Sequence, residues 1–336
     1  MKKKSLTMGR RRGVSVSQDT LVETRPLIEG QLLPLLVASA IKGVDLLAWA
    51  NQHRDQVLAW LHQHGAILFR GFQNDDGDGV ALFRSFAERI SPELLAYKER
   101  SSPRTLVSNN IYTSTEYPPE HGIFLHNENS YQKSWPQQLF FYCDIAAEQG
   151  GETPLGDCRR IYQAIEPAII EKFKRLGVMY IRNFNNRFGL PWQEVFQTED
   201  RAVVEAHCHK SGLQTEWHAG NTLRTRALRP LVDRHPVTGA AVWFNHAIFF
   251  NTATLEESMR ISLESLFSPE EMPNHTYYGD GSPIEAEVIA QFKEVYQREE
   301  VVFPWQQGDI LLVDNMLTAH GRRPFKGQRR ILLAMA

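Results

Sequence analysis

Hydrophobic spacing divides the chain into alternating helical and extended stretches. Between residues 44 and 64, Leu46, Leu47, Trp49, Ala50, Val57, Leu58 and Leu61 recur every three or four positions, which predicts an amphipathic helix stopped at Gly65. Ala66–Arg70 is a continuous apolar run, the pattern of a short buried strand, and residues 80–90 return to helical period. Downstream, residues 139–145, Val178–Phe184 and 242–250 read as strands. Residues 160–176 have helical period broken at Pro167, where the ring and the missing N–H both disrupt a helix interior, and end at Gly177. Further helices are predicted over 254–267, where Thr254 and Glu257 have capping-box spacing, and over 283–297. The turn Gln306-Gln307-Gly308-Asp309 leads into a strand at 310–313, and Arg330–Met335 is the last. Many short strands separated by helices predict an α+β protein, a β-sandwich or jelly-roll barrel with flanking helices rather than a parallel sheet; a double-stranded β-helix is the form of jelly roll expected.

Composition narrows the class. With 336 residues, 42% hydrophobic and 23% charged, the chain has enough apolar sequence for one large core. Lys2, Lys3 and Lys4 with Arg10, Arg11 and Arg12 make residues 1–24 a basic, flexible arm, leaving 25–336 as a single domain. A formal net charge of -2 argues against a dedicated nucleic-acid binder, and no apolar run reaches the ~20 residues a membrane helix needs. The basic N-terminus lacks the apolar core of a secretory signal, so a cytoplasmic location is expected. Three cysteines, Cys143, Cys158 and Cys208, are too few for a disulfide framework, and a reducing compartment follows.

The candidate chemistry lies in Phe124-Leu125-His126-Asn127-Glu128. On a strand, residues i and i+2 share a face, so His126 and Glu128 can occupy adjacent corners of one metal. The distant His320 supplies a third corner and leaves three positions open, the facial triad of non-haem Fe(II) oxygenases. Arg330 opens the final apolar strand, where an unpaired guanidinium is unfavourable and its fork suits a carboxylate. His207, Cys208 and His209 form a second cluster, but without a ligand pair at zinc-finger spacing they read as surface residues. His246 reads as a satisfied core or edge histidine, with a place lining the pocket as the alternative. Asn245, Ser130 and Tyr131 are candidate substrate contacts, and so is Asn109, before the loop-like run Tyr112-Thr113-Ser114-Thr115-Glu116-Tyr117.

From residue 65 to the C-terminus the sequence resembles the taurine dioxygenase (TauD/TfdA) family of Fe(II)/2-oxoglutarate oxygenases, and within it the branch of syringomycin-type aspartyl hydroxylases serving nonribosomal peptide pathways. The likeness rests on an ordered set: His126 to Tyr131, Gly150-Gly151-Glu152-Thr153-Pro154, Val242 to Asn245, Gly308-Asp309-Ile310, Asp314-Asn315, and His320 through Arg330. It implies His126, Glu128 and His320 as iron ligands, Thr153 as a hydroxyl donor to 2-oxoglutarate, and Arg330 as the clamp on its far carboxylate. Arg329 is the alternative clamp, since a one-residue slip of register exchanges them. Glutamate replaces the aspartate of taurine dioxygenase itself. Because a carboxylate ligand remains, the likeness disfavours halogenation. Ala334 stands where some relatives carry a second arginine for an anionic substrate, which argues against a taurine-like sulfonate.

The implied function is hydroxylation of an unactivated C–H of an amino acid, free or tethered to a carrier protein, using Fe(II), 2-oxoglutarate and O2. Desaturation, epoxidation or cyclisation by the same iron chemistry, or a barrel that only binds, are the alternatives. The basic arm would suit an acidic carrier protein.

Overall fold

The computed structural model describes residues 21–72, 77–97, 103–185 and 187–336. Most of the expected arm, including its lysines and arginines, lies outside them. Residues 22–24 already belong to the first strand, Val22–Pro26.

An eight-stranded sheet runs in the spatial order Val22–Pro26, Leu35–Ser39, Ala66–Arg70, Ile310–Asp314, Gln138–Ile145, Arg330–Met335, Ile111–Thr113, Leu106–Ser108. Its pairings are antiparallel except Leu35–Ser39 with Ala66–Arg70. The central strands alternate between two cores, as a period of two demands. Ile67, Phe69, Phe140, Tyr142, Ile310, Leu312, Leu332 and Ala334 face a helical layer holding Leu46, Trp49, Leu61, Phe83 and Phe86. Ala66, Leu68, Leu139, Phe141, Leu311, Val313, Ile331 and Leu333 face the other way, onto Leu155, Val301 and Phe303. Burial on both faces explains why these strands read as unbroken apolar runs.

Leu155 and Val301 belong to a four-stranded sheet ordered Glu300–Val301, Leu155–Asp157, Thr318–Arg322, Ile123–His126. Its far side is covered by a third core, in which Leu125, Leu317 and Ala319 meet Phe173, Trp243, Phe292 and Tyr296. Alternation along the two ligand-bearing strands therefore turns Leu125 and Ala319 toward the helices, and His126 and His320 toward the opposite side. The small sheet is the platform for the site.

Local chemistry changes several elements from their sequence expectation. The helix over 44–64 is two, Leu46–Gln52 and Arg54–His64, because His53 leaves helical geometry and both its ring and its backbone N–H bond to the Trp49 carbonyl. Gly65 ends the second at φ 81, the left-handed cap expected of glycine. Residues 242–250 are not one strand. Ala241–Trp243 is extended, and then the Asn245 side chain accepts from the Ala247 N–H and starts the helix Ala247–Phe250. The capping box forms not at Thr254 but at Ser268 with Glu271, while the Thr254 hydroxyl donates to the carbonyls of Ile248 and Asn251.

Gly321, between His320 and Arg322, has no room for a side chain. A Cβ there would stand 2.5 Å from the Ile123 carbonyl oxygen and 3.3 Å from the Leu125 nitrogen. Gly321→Ala is expected to push the two ligand strands apart, lowering stability by ~1–3 kcal/mol in urea unfolding. Unchanged stability would mean that the strands yield there without strain.

Candidate metal centre

His320 and His126 are direct cross-strand partners, which sets their imidazoles side by side on one face. Glu128 reaches the same point differently from the expected strand alternation. The strand ends at His126, and Glu128 sits in a turn, followed by Asn129 at φ 55. Two asparagines fix that turn. Asn315 accepts from the Glu128 N–H at 2.8 Å and donates to the carbonyls of Glu128 and Pro136, while Asn127 donates to the Asn315 carbonyl at 2.7 Å. Asn315 is held in turn by Asp314, which accepts from the N–H groups of Met316 and Leu317. His235 donates to the other Asp314 oxygen through Nε2, since its Nδ1 already accepts from Val237 and Thr238.

One donor atom each from His126, Glu128 and His320 lie within 4.8 Å of one another, and the group is the one metal-competent cluster among the described residues. His126 Nδ1 is 2.8 Å from the Phe124 carbonyl, which can only accept, so Nδ1 carries the proton and Nε2 offers its lone pair. His320 Nε2 lies 3.9 Å from Glu128 Oε2; its Nδ1 is buried without a partner. Burial lowers the pKa of both imidazoles, His320 well below the usual range with His126 adding to the effect. Burial would raise the Glu128 carboxyl, but Arg104 above all, and then His126, outweigh it and lower its pKa. Two neutral nitrogens and one carboxylate oxygen are the donor set that a divalent non-haem iron takes. The residues fit the ion.

Aromatic rings close the cluster. His126 packs against Phe249 at 4.5 Å and His246 at 5.1 Å, and Phe141 covers His320 at 5.2 Å. His246 is satisfied as expected, through Nδ1 to the Asn127 carbonyl at 2.9 Å, and it also forms a wall of the site, the alternative its sequence position offered. The larger omission is Arg104. Its Nη2 donates to Glu128 Oε2 at 2.9 Å, and a lone arginine 24 positions upstream carries no sequence signal of that pairing.

Beside the cluster, the Thr153 hydroxyl accepts from Trp305 Nε1 at 3.1 Å, leaving its proton available to a ligand. The two neighbouring arginines take places opposite to the first expectation. A register shift between Arg330 and Ile331 turns Arg330 outward, where it pairs with Asp144 at 2.9 Å. Arg329 turns inward, bonded through Nε to the Gly151 carbonyl and in contact with Ser114. Among the described residues no carboxylate pairs with it, and burial, helped by Arg322, brings its pKa down to about 10. A cavity of about 490 Å³ opens between Arg322, Arg329 and the segment 113–118, with Arg330 also on its lining. By the same register Ala334 faces the helical layer, and Leu333 the side of Arg329.

Of the substrate candidates, Ser130 and Tyr131 adjoin the cluster through His246. Asn109 is exposed at the turn between Leu106–Ser108 and Ile111–Thr113, and Asn245 is spent on the Leu231 carbonyl and the Ala247 N–H, so neither is placed for substrate. Cys208 is buried in a small aromatic core on the helix Arg201–Lys210, with His207 and His209 exposed, so the thiol and the two imidazoles do not share one face. Cys143 and Cys158 are free and buried, their thiols pushed up to about 12 mainly by that burial. No helix among the described residues is long and apolar enough to cross a membrane.

A mixed fold that brings two imidazoles and a carboxylate to one buried point defines a non-haem iron oxygenase. Residues 26–336 match the profile of "Taurine catabolism dioxygenase TauD, TfdA family", and the chain belongs to that family. It is an Fe(II)/2-oxoglutarate-dependent dioxygenase. It is 37% identical over 313 residues to the dapdiamide synthesis protein DdaC of Enterobacter agglomerans, covering 93% of each chain. It is 29% identical to the clavaminate synthase-like protein At3g21360 of Arabidopsis thaliana, covering 82% of each. Among solved structures, PvcB, described as an Fe, alpha-ketoglutarate dependent oxygenase from an isonitrile synthetic pathway, superposes with a TM-score of 0.56 at 16% identity, covering 94% of this chain and 92% of its own.

The asparagine clamp is testable apart from turnover. Asn315→Ala strands the Glu128 N–H and two carbonyls, three buried orphans at about 1–3 kcal/mol each, and is expected to lower stability by at least ~3 kcal/mol. Anaerobic Mn(II) affinity by calorimetry should fall ~10–100-fold, the usual effect of losing support behind a ligand. Wild-type Mn(II) affinity would show that the turn holds Glu128 without Asn315.

Proposed function

We propose that the protein hydroxylates an unactivated C–H of an amino acid, free or thioester-bound to a carrier protein, in a specialised biosynthetic pathway. The observation that carries this reading is the three-residue metal cluster; Arg329, partly buried and without an acid partner among the described residues, adds to it. The naming of DdaC for dapdiamide synthesis supports the pathway class, and the chain's resemblance to syringomycin-type hydroxylases supports the tethered form. The two sheets around a shared core support a double-stranded β-helix over residues 25–336. A cytoplasmic setting suits ferrous chemistry, and an acidic carrier protein suits the basic residues 2–12.

When bound, Fe(II) and 2-oxoglutarate supply the O2 chemistry that removes hydrogen from an inert carbon. The protein's part is placement and exclusion of water. His126, Glu128 and His320 hold the ion from one side. Arg329 offers the far carboxylate of the cosubstrate a planar fork, and Thr153 its hydroxyl proton. The rings of Phe249, His246 and Phe141 keep the ion's surroundings apolar, with Ser130 and Tyr131 behind them toward the substrate side.

Anaerobic Fe(II) with 2-oxoglutarate should give a weak visible charge-transfer band that His126→Ala removes; a band of undiminished strength in the variant would refute the ligand assignment. Succinate release across free and carrier-loaded amino acids then identifies the substrate. For the cosubstrate, Arg329→Gln should raise the 2-oxoglutarate requirement at least tenfold, the scale of losing a charged hydrogen bond at ~2–5 kcal/mol. Arg330→Gln should leave it within twofold. The reverse pattern would make Arg330 the clamp.

A further inference from the structure

Arg104 differs from the other arginines that reach into this fold. Arg70 pairs with Asp309 through two bonds and donates to the Pro304 carbonyl. Arg159 grips Asp157 and the Gln63 carbonyl, and Arg322 donates to the carbonyls of Tyr117, Pro118 and His121. Each staples one stretch of backbone to another. Arg104 reaches no carbonyl. It lies over the Tyr97 ring at 4.5 Å, makes a long 3.4 Å contact with the Thr115 hydroxyl, and gives its one short bond to Glu128. Its Nε and Nη1 are buried without partners. The side chains of the pair are 4% and 3% exposed, so neither charge is answered by solvent. A guanidinium left with two bare donors is poorly used as a structural staple. What it serves is the carboxylate.

Glutamate at this position raises a difficulty that aspartate raises less. Its extra methylene adds a rotatable bond, and a carboxylate can bind a cation through one oxygen or through both. Three protein donors leave three positions on a six-coordinate ion. A 2-oxo acid chelating through its keto and carboxylate oxygens takes two, so one remains for O2. A glutamate bound through both oxygens would fill it.

We propose that Arg104 is a positioning residue that keeps Glu128 a one-oxygen ligand and so preserves the coordination position O2 requires. The proposal rests on the Fe(II)/2-oxoglutarate reading of the site. The charge-assisted bond falls on Oε2, the oxygen 3.9 Å from His320 Nε2, so it competes with the ion for that oxygen and holds the carboxylate to one orientation, and the Tyr97 ring with Thr115 fixes the guanidinium from which it comes.

The test uses the full-length protein loaded anaerobically with Fe(II) and 2-oxoglutarate, with nitric oxide as the probe for the open position. In Arg104→Met, Mn(II) affinity by calorimetry should stay within tenfold of wild type and the visible band should persist. The electron paramagnetic resonance signal of the nitric oxide adduct should fall at least tenfold at a concentration that saturates wild type. Arg104→Lys, which keeps a charged donor, should recover at least half of that signal. Should thermal unfolding show Arg104→Met to be poorly folded, Arg104→Gln is read by the same criterion. A full nitric oxide signal in a variant that has lost activity overturns the proposal, as does a lost signal that merely follows lost metal. A wild-type protein giving no visible band overturns the cosubstrate reading and this inference with it. A normal band with a full adduct in the variant overturns this inference alone.

Discussion

Glu128 carries a negative charge where water does not reach, and much of the surrounding structure answers that charge. An isolated buried carboxylate would protonate rather than stay ionised. Arg104 prevents this by its charge and its direct hydrogen bond, with His126 and His246 adding to the effect. The imidazoles of His126 and His320 are themselves held neutral by burial, so their nitrogens present lone pairs rather than protons to the same point. The site is thus set for a cation by two opposed effects, burial that keeps the imidazoles neutral and Arg104 that keeps the carboxylate charged, and the wall of Phe249, His246 and Phe141 maintains the burial.

Backbone pairing supplies the precision that side-chain chemistry alone cannot. His126 and His320 lie nearly two hundred positions apart, yet antiparallel register makes them neighbours, and Gly321 lets their strands approach. The third ligand is not on a strand and needs its own support. The chain Asn127, Asn315, Asp314, His235 provides it as a run of buried polar groups whose bonds pass from the Glu128 turn to the hairpin Val232–Arg234 and Ala241–Trp243. Such a run is favourable only when its members are satisfied, which makes it selective for one geometry.

How far the sequence revealed this depends on whether an interaction is local. Apolar runs at Ala66–Arg70, Gln138–Ile145 and Ile310–Asp314 are unambiguous because burial on both faces removes polar positions altogether. His126, Glu128 and His320 were legible through the company they keep in an ordered set of motifs, although the reason Glu128 joins them, a clamped turn, was not. The break at Asn245 escaped notice because Val242 to Phe250 is apolar under either helix or strand period. Arg329 and Arg330 could not be ordered because a bulge opposite Asp144, invisible in composition, decides which one turns inward. Arg104 was beyond reach for a simpler reason. Its partner is set by tertiary placement, and nothing in Ser102-Pro103-Arg104-Thr105 distinguishes a buried guanidinium from an exposed one.

Charge balance links the two halves of the site. Before any ligand arrives, Glu128 and Arg104 cancel, and Arg329 remains a partly buried cation with no carboxylate partner among the described residues. A divalent ion entering alone would add two positive charges beside Arg104, and little hydration is available to offset them. A 2-oxoglutarate dianion entering alone would meet two carboxylate-seeking arginines but also Glu128. Together, ion and cosubstrate add no net charge, and each places its opposite sign where the other needs it. Binding of the two is therefore coupled, and by linkage each raises the affinity for the other by the same factor.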